Sequence, residues 1–377
     1  MVIGVIGSGF AGLTFAIKRK MIHPKDEILV FEHLDKAMKK TLSTGNGKCN
    51  IGNTIDISDQ ANSRIAKSIL SQYNFEKQKE FLNSLNIKTK LFGELEYPIT
   101  ESAVTVRNMY LKAALKYGVK ILLETNILDY ELRGNNIVLT TNNGEYVLDK
   151  LVFATGGISS PKLGSDGSIL PILNKRGYKL KDFSPALCPI YTKEKTKPLD
   201  GTRVKANVTL LSGKETLLEE NGEVLFKEHG LSGIVIFNVS RIISKNINRP
   251  YKINIDLVPD IAKEELRDFL KHDNESTLLE SYLHPNIAKF IDGLNVKGEA
   301  LINLLKSFSF TFDKLYGFDV AHISVGGIRF EELTDSLESK TEKGVHFLGE
   351  LLDYDGPCGG HNIMWAIASA LYLSTSF

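Results

Sequence analysis

The chain has 377 residues, 42% of them hydrophobic, with 46 Lys and Arg against 45 Asp and Glu and a formal net charge of +1. That length supports more than one domain with its own core, and so even a charge balance supplies no global field for nucleic acid or an acidic membrane surface. The 3 cysteines, Cys49, Cys188 and Cys358, are odd in number and lack a C-x-x-C spacing, which argues against a disulfide framework or a structural zinc site and makes the cytoplasm the expected location.

The first residues, MVIGVIGSGFAGLTFAI, are apolar but carry 4 glycines within the first twelve positions and no positive leader. They read as the start of a fold and not as a signal peptide or a membrane span. Val2 to Ile6 reads as a strand, Gly7-Ser8-Gly9-Phe10-Ala11-Gly12 as a turn, and Leu13 to Arg19 as helix. In a G-x-G-x-x-G turn the first glycine permits the bend, the second lets backbone approach a pyrophosphate, and the third lets helix and strand pack closely. The helix N-terminus offers free N–H groups and the positive end of its dipole to phosphate. A second strand, Ile28 to Phe31, ends at Glu32, 20 residues after Gly12, where a carboxylate accepts hydrogen bonds from ribose hydroxyls. The alternative is a glycine-rich turn with no ligand; the flanking strand, helix and acid together favour a dinucleotide. FAD and NAD both fit at this point, although a second G-x-G-x-x-G for a separate nicotinamide domain is missing.

The stretch KKTLSTGNGKCNIGN, Lys39 to Asn53, alternates glycine with asparagine and predicts a loop of exposed amides; an ordinary surface loop is the competing reading. Amphipathic patterning then predicts helices over Ser63 to Ser84 and Val104 to Tyr117. Strands are predicted at Lys120 to Leu123, Ile137 to Thr141 and Tyr146 to Leu148, the last two a hairpin. Farther on, LVFATGGISSPKLGSDG places a buried parallel strand at Lys150 to Ala154, followed by Thr155, Gly156 and Gly157. At the carboxyl end of a sheet strand these glycines leave room for a ligand.

GSGFAG with Glu32, TGNGKCN, ATGGISSPKLGSDG, FKEHGLSG, VGGI and GELLDYDGPCGGHN occur in this order over nearly the whole chain. Together they resemble a family of bacterial FAD-binding proteins, variously named aminoacetone-oxidase-like or dehydro-bile-acid-reductase-like. The family's cofactor domain is similar to that of the glutathione-reductase class. The resemblance implies an α/β fold: a Rossmann-like FAD-binding domain from residues 1–185 and 320–377, an inserted β-barrel-like domain from 186–258 and 308–319, and a small helical domain at 259–307. The pattern itself turns to β segments from Ala186 to Phe226 and at YKINIDLV, then to short helices between Ala262 and Lys306.

By the same resemblance, FAD contacts are expected at Gly7, Ser8, Gly9, Phe10, Ala11, Gly12 and Glu32 in the first turn and strand, and at Lys40, Gly45, Asn46, Gly47, Cys49 and Asn50 in the Gly-Asn loop. Others are expected at Thr155, Gly156 and Gly157, and at Gly349, Glu350, Asp353, Gly359, Gly360, Asn362 and Ile363 near the C-terminus. Glu350 or Asp353 would bind the ribityl chain. The last helix would aim its N-terminus at the pyrimidine side of the flavin, where its dipole favours negative charge. The sequence departs from the family at Asn46 and Lys48, which stand for Gly and Arg, and at His361, which stands for Tyr; its PKLGSDG turn is also shorter.

His361 is the candidate catalytic residue, as a proton donor or carbonyl polariser; a structural imidazole at the helix start is the alternative. Cys49 beside Lys48 raises the question of a lowered thiol pKa, but a small buried residue is the favoured reading because no resolving cysteine lies nearby. Histidines at metal-ligand spacing, a nucleophile elbow and a P-loop are all missing, so neither a metal nor hydrolytic or phosphoryl-transfer chemistry is expected. The acid pairs Asp353 with Asp355 and Glu331 with Glu332 read as solvated loop residues.

The reading is an FAD-dependent oxidoreductase acting on a small organic substrate by hydride transfer to or from flavin N5. It is either an amine oxidase of aminoacetone type or a reductase of an enone-like compound with NAD(P)H as transient reductant. The alternatives are a redox-sensing flavin protein and a tRNA-modifying flavoprotein, the latter requiring a local patch such as Lys193, Lys195, Lys197 and Arg203. Neither a membrane nor a nucleic-acid partner is expected, and the oligomeric state is left open.

Overall fold

The computed structural model describes residues 1–376 and divides into two compact units, residues 1–184 with the chain from Ile323 onward, and Pro185–His322. Strand β1 (Val2–Ile6) leads into helix α1 (Phe10–Ile22) and then β2 (Glu27–Phe31). After the short strand β3 (Gly52–Asn53) come α2 (Arg64–Gln72) and α3 (Phe75–Ser84). The sequence predicts one helix here, but Asn74 turns extended and its side chain accepts a hydrogen bond from the Lys77 N–H at 3.3 Å. A residue that caps a new helix ends the old one.

A hairpin absent from the sequence reading, β4 (Thr89–Phe92) with β5 (Leu95–Pro98), pairs with β3 to make a three-stranded sheet. Helix α4 (Ala103–Lys116) precedes β6 (Lys120–Leu122), and an antiparallel sheet follows: β7 (Ile127–Arg133), β8 (Asn136–Thr141) and β9 (Gly144–Leu148). Strand β10 (Lys150–Phe153), helix α5 (Leu170–Lys175) and strand β11 (Leu180–Ala186) complete the first part of the chain.

In the second unit, β12 (Ile190–Thr192), β13 (Arg203–Ser212), β14 (Glu215–Lys227), β15 (Gly230–Ser232), β16 (Lys252–Asp256) and β17 (Phe308–Leu315) close into a six-stranded barrel in the order β12-β15-β14-β13-β16-β17. The barrel is filled by side chains, among them Val208, Leu210, Phe226, Ile253, Ile255 and Phe310, as small barrels are. Helix α6 (Ile234–Lys245) follows β15. Helices α7 (Lys263–His272), α8 (Glu275–Tyr282), α9 (Pro285–Asp292) and α10 (Gly298–Lys306) fill the interval between β16 and β17.

The chain then re-enters the first unit as β18 (Ile323–Ile328), β19 (Val345–Phe347) and helix α11 (His361–Ser376). The central sheet has the order β19-β10-β1-β2-β6 with every pairing parallel, and its strands are the near-continuous apolar runs that a sheet buried on both faces requires. The fold is therefore the α/β architecture expected from the sequence, a Rossmann-type sheet with an inserted barrel and helices.

Candidate functional site

The three glycines of the first turn have different reasons to be glycine. A Cβ on Gly7 would lie 2.4 Å from the Ala154 carbonyl oxygen, and one on Gly12 would lie 2.0 Å from the Gly7 carbonyl oxygen. Both are demanded by packing. A Cβ on Gly9 would meet no heavy atom within 4 Å, so the protein leaves open space at the mouth of α1. No side chain caps that helix and no acid occupies its first turn. The N–H groups of Phe10, Ala11 and Gly12 thus lie before the first intrahelical acceptor, at the positive end of the dipole.

Glu32, buried at the end of β2, is held in place around this turn. Its Oε2 accepts from the Ser8 hydroxyl at 2.5 Å and the Ser8 N–H at 3.2 Å, and its Oε1 accepts from the Leu34 N–H at 3.0 Å. His33 Nδ1 lies 3.4 Å from Oε1. The fold therefore fixes a carboxylate beside the first glycine turn, the position a ribose-binding acid would need.

Gly349 joins this region from the other end of the chain: a Cβ there would lie 3.0 Å from Ala11 Cβ. Its carbonyl accepts from Trp365 Nε1 at 2.9 Å and its N–H donates to Ser369 Oγ at 3.2 Å, which ties the segment to α11. The next residue, Glu350, accepts at Oε2 from Lys40 Nζ at 3.0 Å. At Oε1 it accepts from the Ser324 N–H at 2.9 Å and from the hydroxyls of Ser159 at 3.1 Å and Ser324 at 3.2 Å. Burial opposes the charge, but the Lys40 ammonium and the Ser324 N–H outweigh it and hold the Glu350 carboxyl below the usual carboxylate range.

This network changes the reading of Gly156 and Gly157. The space their missing side chains leave is taken by the chain itself: a Cβ on Gly157 would lie 2.0 Å from Ser324 Oγ and 3.0 Å from Glu350 Oε1, and one on Gly156 would lie 2.8 Å from Ser165 Oγ. Ser159, Ser165 and Ser324 were missed because isolated serines carry no periodic or motif signal. Thr155 is half-buried beside them. Asp353 does not join the group; its Oδ1 accepts from Lys181 Nζ at 3.3 Å.

The Gly-Asn stretch is exposed at Ser43, Gly45, Asn46 and Lys48, as expected of a loop, and becomes packed mainly from Cys49 onward. Residues 40–47 coil as a 3₁₀ segment broken at Gly45 and Asn46, both left-handed at φ 56° and 54°, and Gly47 follows at φ 83°. Cys49, Ile51, Gly52 and Asn53 are buried. Burial pushes the Cys49 thiol up to about 11, and Lys48, instead of activating it, points to Glu101 at 3.1 Å. The thiol is thus protonated and inert at neutral pH.

The same stretch meets the C-terminal turn. The Asn53 amide donates to the Gly359 carbonyl at 2.9 Å, a Cβ on Gly360 would lie 2.8 Å from the Gly52 carbonyl oxygen, and the Asn50 amide nitrogen faces the Glu96 and Gly52 carbonyls at 3.1 and 2.9 Å. Asn362 closes the turn by accepting from the Gly356 N–H at 2.8 Å and donating to the Gly356 carbonyl at 2.9 Å. His361 opens α11 and is buried, and Ile363, two residues later, is half-buried.

The open mouth of α1, the oriented Glu32 and the second glycine turn at the start of α11 fit an extended dinucleotide such as FAD. Other readings fare differently. In the lysine-arginine patch of the second unit, Lys197 pairs with Glu228 at 2.9 Å and Arg203 with Glu223, so much of its charge is neutralised locally. Among the described residues, no helix is long and apolar enough to cross a membrane.

Comparisons with known proteins agree with this geometry. The chain is 29% identical over 401 residues to the 3-dehydro-bile acid delta(4,6)-reductase of Clostridium scindens, covering 97% of this chain and 96% of the relative. It is 26% identical over 400 residues to the ribosomal RNA dihydrouridine synthase of Haemophilus influenzae, covering 97% and 96%. In fold it is similar to 3-ketosteroid-delta4-(5alpha)-dehydrogenase from Rhodococcus jostii, at 12% identity with a TM-score of 0.54 over 99% of this chain and 96% of that one. Residues 1–376 match the HI0933-like protein Rossmann domain, and the protein belongs to that family.

Proposed function

We propose that the protein is an FAD-dependent oxidoreductase that reduces a carbon–carbon double bond conjugated with a carbonyl, using a nicotinamide as electron source. The observation that carries the cofactor half of this reading is the meeting of the two chain ends. The open α1 N-terminus with Glu32, and the Gly349-Glu350 segment with the α11 turn, lie in one unit and are joined at Ala11 and Gly349. Bound FAD would supply a two-electron hydride carrier. The chain's own part would be to hold it: α1 would face the pyrophosphate, Glu32 the ribose, the Lys40–Glu350 network the middle of the cofactor, and the α11 N-terminus the ring end.

The reductive direction is supported by the chemistry in the relatives' names. A 3-dehydro bile acid with delta(4,6) unsaturation carries double bonds conjugated with its ketone, and dihydrouridine is uridine reduced at the double bond next to a carbonyl. Cys49 is buried and its thiol pKa is raised, so it would not serve as a thiol relay beside a bound FAD. Oxidation of a small amine of aminoacetone type is the opposite direction on the same cofactor.

The test is anaerobic spectrophotometry of the FAD-loaded protein. NADH or NADPH is expected to bleach the flavin, and a steroid or cyclic enone to restore its colour with one product per flavin. Bleaching by aminoacetone, with no reoxidation by any enone, would replace the reductase reading by the amine oxidase.

A further inference from the structure

One face of the β3–β5–β4 sheet has no part in the cofactor assignment above. Directly paired residues of an antiparallel sheet share a face. The register Lys90↔Tyr97, Phe92↔Leu95 and Asn53↔Leu95 therefore places Asn53, Lys90, Phe92, Leu95 and Tyr97 together. The opposite face is anchored by Glu96, buried and accepting from Thr89 Oγ1 at 2.5 Å.

The first face is directed at both glycine turns. Leu95 Cδ2 would lie 3.3 Å from a Cβ on Gly359, Tyr97 Cε1 would lie 3.6 Å from one on Gly45, and Asn53 bonds the Gly359 carbonyl. Phe92 meets Tyr97 edge-to-face at 5.8 Å and is nevertheless 48% exposed, while Leu95 and Tyr97 are half-buried. Lys90 and Lys48 flank the face, and both are engaged by one carboxylate, Glu101, at 2.7 and 3.1 Å. What is presented is an aromatic and aliphatic surface with the Lys90 ammonium 4.8 Å over the Phe92 ring and one phenolic hydroxyl, beside the turns expected to meet the flavin ring.

We infer that this sheet face is the substrate wall of the proposed reductase, that it takes a neutral, planar enone, and that Tyr97 is the catalytic acid. The inference rests on the reductase reading. Hydride is added to the β carbon of the enone, forming a C–H bond, and the π electron pair moves onto the carbonyl oxygen. The resulting enolate takes the Tyr97 O–H proton at its α carbon, and the half-exposed phenolate recovers a proton from solvent, so one hydride, which nicotinamide-reduced FAD would supply, and one proton complete the saturated ketone. Burial raises the Tyr97 pKa, so the proton is present throughout the neutral range. The aromatic and aliphatic make-up of the face favours a neutral ligand, and Glu101 offsets part of the charge of Lys48 and Lys90.

The experiment compares wild-type protein with Tyr97→Phe, both loaded with FAD; equal FAD content and melting temperature show that the variant folds. With cyclohex-2-enone as acceptor, reoxidation of the reduced protein is expected to slow by about 10²–10⁴-fold in the variant, the usual contribution of a general acid. The wild-type rate is expected to fall at high pH as Tyr97 ionises, a limb that the variant lacks. Independently of turnover, cyclohexanone is expected to shift the NMR signals of labelled Tyr97, identified as those absent from the variant. An unchanged rate and pH profile in the variant, or Tyr97 signals that cyclohexanone leaves in place, would overturn the Tyr97 assignment while leaving the reductase standing. Wild-type protein that reduces no enone would overturn the reductase reading and this proposal with it. Displacement of the Tyr97 signals by a uridine oligonucleotide but not by the ketone would overturn the neutral substrate class.

Discussion

Lys40 and Glu350 are 310 residues apart in the chain, yet Lys40 Nζ stands 3.0 Å from Glu350 Oε2. Their side chains keep 27% and 21% exposure, so the pair is sheltered from solvent but not sealed. It closes the first unit by tying the segment after β2 to the segment after β19 and, through Ser159 and Ser324, to the ends of β10 and β18.

Replacing Glu350 by Gln is expected to destabilise the cofactor-free protein by about 2–3 kcal/mol at pH 7, somewhat below the usual cost of breaking a fully buried pair. The pH dependence follows from the sign of the shift. A carboxyl whose folded pKa lies below its ordinary value contributes stability that is full above about pH 4.5 and is lost as the pH falls through the folded value. Urea unfolding from pH 7 to pH 3 is therefore expected to show the gap between wild type and Glu350→Gln narrowing on the acid side. A gap that widened toward low pH would contradict the assignment.

Gly9 and Gly12 are expected to separate ligand binding from folding. Gly12→Ala places a methyl group 2.0 Å from a backbone oxygen and is expected to cost about 3 kcal/mol or more, seen as a large fall in melting temperature. Gly9→Ala meets no atom of the protein, so its cost is expected to stay under about 1 kcal/mol, the loss typical of an N-cap position. The same variant is expected to retain much less FAD, because the methyl group enters the space in front of the α1 N-terminus. Full FAD content in Gly9→Ala would show that the pyrophosphate does not lie there.

The thiols make a third case. Burial pushes both Cys49 and Cys188 up to about 11, whereas Cys358 is only half-buried. With an aromatic disulfide reagent at pH 8, one thiol of the 3 is expected to react in the native protein and the other two only on unfolding. Cys358→Ser is expected to abolish the native reaction, and persistence of that reaction would place a reactive thiol at Cys49 or Cys188.

The sequence by itself determined the parts whose chemistry is local. G-S-G-F-A-G between a β-branched run and an apolar helix, with an acid 20 residues on, specifies a strand–turn–helix and a carboxylate at the end of the next strand. Alternation along Arg203–Ser212 specified a strand for the same reason: period-two burial is written into neighbouring residues. What only the tertiary structure decided is what Gly156 and Gly157 are for, where Glu350 finds its cation, and which face of the β4–β5 hairpin looks at the glycine turns. Packing decided only the second part of residues 39–53, where Cys49 and Ile51 are buried against the core, while Gly45, Asn46 and Lys48 stay exposed as their composition suggests. Tyr97 carries no motif, and Gly45, the turn residue beside it, lies in a distant part of the chain, a separation that no local pattern encodes.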